Sequence, residues 1–197
     1  MFKFTQCFLL FLLIISGVIS VSCTLCNDGY KQYRLEKGIA HFSFEYPCDW
    51  KIGINEIEQD YTDIMIFAPS FKSKRNDVNV ISTDWSIFIT YPDQDKPDIK
   101  TAMNDTLSFW QDTFDAKIIE SSEINIKDVT AEQFIISYKS AIDDPWQEPE
   151  PIIHKEMFFN YNGLIWNMTE IYNEDYENLD NHQRYWEHML ETWQFLD

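Results

Sequence analysis

The chain has 197 residues, 45% hydrophobic and 16% aromatic, with 33 acidic against 15 basic residues and a formal net charge of −18. That length suits one domain, and the apolar content is enough for a packed core, which excludes global disorder. The acidic excess, with no basic stripe among the aromatics, excludes nucleic acid as a partner and electrostatic docking on anionic lipid.

Lys3 opens a short positive region, Phe8 to Ile15 form an unbroken apolar run, and Gly17, Ser20 and Ser22 end it before Cys23. This is the layout of a secretory signal cleaved after residue 22. A retained membrane-spanning helix needs about 20 apolar residues, more than this run provides. Ser20 and Ser22 suit an ordinary signal peptidase, and a Cys after small residues resembles a bacterial lipobox, although Ser20 stands where Leu is usual. Both readings cut the same bond. Cys23 is therefore the candidate lipid-attachment residue, and a lipid anchor is the expected link to a membrane. The expected location is the extracytoplasmic face of a bacterial envelope, or the exterior if Cys23 carries no lipid. The expected division is a leader at 1–22, a tether at 23–32 and one domain at 33–197.

Cys7 leaves with the leader, so a lipidated Cys23 leaves Cys26 and Cys48 as a disulfide candidate in an oxidising compartment. Two free thiols, or a Cys23 to Cys26 link in an unlipidated chain, stay open. Cys23-Thr24-Leu25-Cys26 has C-x-x-C spacing, but no helix of a thioredoxin-like unit follows, and no redox role is expected.

Tyr33 to Glu36 can pair with Ala40 to Tyr46 across Lys37-Gly38, with Ala40, Phe42, Phe44 and Tyr46 on one face. Pro47 to Trp50 breaks that ladder and turns the chain, leaving Trp50 to fold beneath the domain. Lys51 to Ile57, Asp63 to Ala68 and Trp85 to Tyr91 read as strands, with Ser70 to Ser82 a polar surface loop. From Asp98 to Phe114 the period changes: Ile99, Met103, Leu107, Trp110 and Phe114 mark an amphipathic helix packed on a sheet. Ile118 to Val129 and Ala131 to Ala141 read as strands, and Asp143 to Pro151 as an exposed proline-rich loop. Ile152 to Tyr161 and Leu164 to Ile171 flank Asn162-Gly163, a strong two-residue hairpin signal. Tyr176 to Thr192 closes as a helix with Leu179, Tyr185, Trp186, Met189, Leu190 and Trp193 available for its inner face. Hairpins dominate, so the expected class is α+β with a mainly antiparallel sheet and two main helices.

Phe42-Ser43-Phe44-Glu45-Tyr46-Pro47-Cys48-Asp49-Trp50 resembles the opening hairpin and corner of the PsbP-like and Mog-like superfamily. Met189-Leu190-Glu191-Thr192-Trp193-Gln194-Phe195 is similar to the close of bacterial PsbP-like lipoproteins. The resemblance implies an α/β/α sandwich with a central antiparallel sheet. It also implies a non-enzymatic role, since its members are extrinsic photosystem II proteins, Ran-binding proteins and envelope lipoproteins. Cys48 sits at a corner where the family is not expected to carry Cys.

No cofactor motif is present. His41, His154, His182 and His188 lack metal-site spacing and read as solvated. Asp93 and Asp95, Asp143 and Asp144, and Glu174, Asp175 and Glu177 offer oxygens for calcium or another divalent ion, the second functional reading, but without the D-x-D-x-D-G pattern. A hydrolase, the third, lacks G-x-S-x-G and S-x-x-K. Trp146, held between prolines, is the candidate partner contact, the alternative being a ring folded onto the sheet. Asn104-Asp105-Thr106 and Asn167-Met168-Thr169 match the glycosylation pattern, relevant in a eukaryotic source. The first reading is a lipid-anchored envelope protein that binds or stabilises an envelope protein partner at the membrane.

Overall fold

The computed structural model describes residues 26–57, 60–68, 71–72, 79–80, 83–92, 98–139, 151–173 and 179–196. Cys23 and Trp146, the acidic clusters at 93–95, 143–144 and 174–177, and most of the proline-rich loop lie outside these residues.

β1 (Tyr30–Leu35) and β2 (Phe42–Pro47) form the opening hairpin, with Leu35 opposite Phe42 and Tyr33 opposite Phe44. Ala40, Phe42, Phe44 and Tyr46 are buried, as their alternation requires. Ordered pairing reaches back past the expected tether boundary: Tyr30, Lys31 and Gln32 lie in β1, and Asn27 bridges to Tyr30 around Asp28 and Gly29, both at positive φ. Asp-Gly suits that tight turn because both positions need left-handed backbone.

Pro47 ends β2, and Trp50 N donates to Pro47 O across the corner. The chain then enters a second sheet through β3 (Lys51–Ile57), β4 (Tyr61–Phe67) and β7 (Thr83–Thr90). Within the expected surface loop, β5 (Phe71–Lys72) and β6 (Asn79–Val80) form a minimal ladder. α1 (Ile99–Phe114) follows, then β8 (Lys117–Ile126), β9 (Val129–Lys139), β10 (Pro151–Tyr161) and β11 (Leu164–Asn173). α2 (Leu179–Thr192) and β12 (Gln194–Phe195) complete the order. The expected strand end at Val129 is corrected: the chain turns earlier, at Lys127 and Asp128, with Lys127 at φ 56°.

The seven-stranded sheet has the order β3-β4-β7-β11-β10-β9-β8, every pair antiparallel. β1, β2 and β12 form a separate three-stranded sheet, because the corner after Pro47 removes the first hairpin from the main ladder. α1 packs on one face of the large sheet, and α2 with the small sheet covers the other, giving an α/β/α arrangement. α1 starts where the Asp98 side chain accepts from Thr101 N at 2.8 Å, a bond that holds the Asp98 carboxyl below its ordinary range. Its Ile99, Met103, Leu107 and Trp110 pack toward Phe134, Ile136, Phe158 and Ile165.

Trp193 joins the layers on the other face. Its ring stacks on Phe42 at 4.9 Å and Phe44 at 5.4 Å, and meets Trp166 of β11 edge-on at 6.0 Å. Aromatic pairs of this kind add to the area they bury. Trp193 is fully buried, and its indole N–H has no hydrogen-bond partner among the described residues, so the ring acts through packing. Replacing it with Ala should cost about 3–5 kcal/mol in chemical denaturation, whereas Trp193→Phe, which keeps a stacking ring, should cost far less. Equal losses in the two variants would contradict this role.

Candidate functional site

β10 is covered on both faces, so its alternating side chains enter two different layers. Lys155 and Glu156 are neighbours in sequence and point to opposite sides. The Asn162-Gly163 turn, at φ 52° and 76°, sets the register that places Lys155 opposite Glu170 and Glu156 opposite Thr169. Two polar clusters therefore lie back to back across the same hairpin.

On the α2 side, Lys155 Nζ lies 2.5 Å from Glu170 Oε2, and His182 Nδ1 lies 3.0 Å from Glu170 Oε1. Glu170 is wholly buried and His182 is 1% exposed. Trp50, Trp85 and Tyr172 surround the imidazole, at 5.5, 6.3 and 5.7 Å between ring centres. Lys155 also lies 5.6 Å from the Tyr172 ring centre.

On the α1 side, the Glu156 carboxyl is 3% exposed and accepts from three directions. Trp110 Nε1 donates to Oε1 at 3.2 Å, Thr169 Oγ1 donates to Oε2 at 3.1 Å, and Asn167 Nδ2 also donates to Oε2. His154 Nε2 sits 3.1 Å from Oε1 but off the line of a hydrogen bond, and neither ring nitrogen is hydrogen-bonded among the described residues. The His154 ring meets Trp110 edge-on at 4.3 Å. Tyr138 stacks on the Trp110 indole at 5.2 Å and lies 6.2 Å from the His154 ring. Burial, then the nearby Glu156, pushes the Tyr138 phenol up to about 12.

These positions correct the reading of all four histidines as solvated: His154 and His182 are interior residues. The signal was present, because His154, Lys155 and Glu156 form a polar run in the middle of a largely apolar strand. Asn167 is likewise no free glycosylation acceptor, since its amide is engaged at Glu156. Asn104 is exposed on α1. With its oxygens already accepting from protein donors, Glu156 offers little to a metal or substrate. No group of three or more metal-ligating side chains is gathered among the described residues.

Cys26 and Cys48 are joined by a disulfide with Cα atoms 5.9 Å apart. The corner around it is tightly held. Cys48 N donates to Gly29 O at 3.0 Å, and Lys31 Nζ donates to the carbonyls of Cys48 and Trp50 at 2.8 and 2.7 Å. Lys31 also lies 4.8 Å from the centre of the Tyr46 ring. Sequence reading placed no role on Lys31, because its partners are backbone carbonyls of a turn some 17 to 19 residues away.

No family model matches the sequence, and no curated protein matches it. Among solved structures, the chain is similar to LpqN of Mycobacterium tuberculosis, described as involved in cell envelope biogenesis, at 10% identity and TM-score 0.52 over 85% of this chain and 92% of that one. It is also similar to the cyanobacterial PsbP of Synechocystis, at 12% identity and TM-score 0.50 over 92% and 99%. The Ran-binding protein Mog1p of Saccharomyces cerevisiae aligns at 12% identity and TM-score 0.45 over 85% and 96%. The first two likenesses carry the fold assignment: the chain has the PsbP/Mog1-like α+β fold that its two end motifs implied.

The raised phenols give this architecture an alkaline limit. Tyr138 and Tyr33, the latter pushed up to about 12 by burial and then by Tyr46, both hold their protons above the ordinary value of 10.0 when folded. Their contribution to stability is intact below about pH 10 and is lost as pH rises toward about 12. Tyr138→Phe should flatten the fall in stability over that window, measured by urea denaturation at stepped pH. An unchanged slope would contradict the assignment.

Proposed function

We propose that this chain is a non-enzymatic, exported envelope protein, anchored by lipid at Cys23, that binds or stabilises a partner at the membrane. The observation that carries the reading is the Cys26–Cys48 disulfide beside the candidate anchor. Such bonds persist in oxidising compartments, which agrees with the leader-like segment at 1–22. Among the described residues no helix is long and apolar enough to cross a membrane, so a membrane link through this part of the chain calls for another device. The envelope role described for LpqN, a protein of the same fold, is compatible with that reading.

The polar chemistry of the interior supports a scaffold. Glu156 and Glu170, the carboxyls enclosed between layers, are occupied by partners from their own hairpin and from the two helices. A lipid on Cys23 would leave roughly 10 Å of extended chain before Cys26. The stapled corner from Cys26 to Trp50 would then face the bilayer at close range.

Detergent phase separation of the protein expressed in a bacterium with lipoprotein processing tests the anchor. The wild type should enter the detergent phase and Cys23→Ser the aqueous phase, with both exported. A wild type that stays aqueous would overturn lipid anchoring, and retention of both in the cytoplasm would overturn export as well.

A further inference from the structure

We propose that the outer edge of β8 is a docking site for an extended segment of a partner protein bearing Lys or Arg between apolar residues. The inference extends the partner-binding reading above but rests on edge geometry, so it stands or fails separately from the anchor.

β8 ends the large sheet, and among the described residues no strand pairs with its outer side. An unpaired edge presents a row of backbone donors and acceptors that another strand can complete. The first half of this strand is open on both faces: Lys117, Ile118, Ile119, Glu120 and Ser121 are all exposed. Ile118 and Ile119 are 48% and 57% exposed, an apolar pair left open to solvent at this edge. A register shift between Ile118 and Glu120 bends the strand at this point.

Charge selects the occupant. Glu120 and Glu123 are exposed, and an antiparallel second copy centred on either one would set that carboxylate against its own symmetry mate. Like charges directly opposite are destabilising, and two chains each carrying −18 repel at longer range. A strand with Lys or Arg opposite Glu120 or Glu123 replaces both repulsions with attraction, while apolar residues beside that cation cover Ile118 or Ile119. Position also favours access. At about 4.8 Å per strand, β8 lies roughly 29 Å across the sheet from β3, the strand that follows the disulfide corner.

The exported Cys23→Ser protein, isotopically labelled, can be titrated by NMR with a short synthetic peptide alternating Lys with Val and with its Glu-Val counterpart. The Lys peptide should shift backbone amides of residues 117–126 and slow their hydrogen exchange, while the Glu peptide leaves them unmoved. Reversing charge with Glu120→Lys and Glu123→Lys should weaken the Lys peptide roughly tenfold and favour the Glu peptide. Because the wild-type comparison needs no variant, poor folding of the reversed protein does not rescue the idea. No response in β8, equal response to the two peptides, or shifts centred elsewhere would overturn it. So would β8 amides that move with protein concentration alone, which would make the occupant a second copy.

Discussion

Glu156 and Glu170 are buried on opposite faces of one hairpin, and each draws a partner from the helix that covers its face. Taking a carboxyl out of water is costly unless its oxygens are engaged. Trp110 of α1 donates to Glu156, and His182 of α2 meets Glu170. Each helix therefore has a directional contact with β10 or β11 in addition to its apolar packing. Since the hairpin register sets where the two carboxyls stand, the Asn162-Gly163 turn helps set where both helices dock.

Aromatic packing adds adhesion but discriminates less sharply among nearby positions. Trp193 against Phe42, Phe44 and Trp166 fastens the small sheet and the end of α2 to the large sheet. At the other edge of that seam, Glu45 N donates to Thr192 Oγ1, and His188 Nε2 lies 2.9 Å from Glu45 Oε2. Lys127, in the β8–β9 turn, donates to the Glu191 carbonyl near the end of α2, satisfying a group that the helix itself leaves unpaired. Stacked rings with polar contacts at their borders thus connect three elements distant in sequence.

Much of this was readable along the chain. The alternation in β2, the helical spacing from Ile99 to Phe114 and the Asn-Gly turn each reflect a local backbone period. Counting outward from that turn also places Lys155 opposite Glu170. The donation from Trp110 could not be counted, because it depends on how α1 crosses β10, a strand that it does not adjoin in sequence. Burial of His182 has the same origin: helical spacing shows a face, but the docking of α2 decides which polar residue shares it. β12 was missed because two residues carry no period, and the small sheet separates only through the corner at Pro47. The disulfide pair was one of several open alternatives until Cα positions were known.

This arrangement assigns the most chemically loaded interior residues to holding the layers together. A double-mutant cycle across Glu170→Gln and His182→Gln, measured by urea denaturation, examines that assignment at its centre. A coupling energy of about 0.5–3 kcal/mol is expected for groups in direct contact. Strict additivity, with both single variants near wild-type stability, would contradict it.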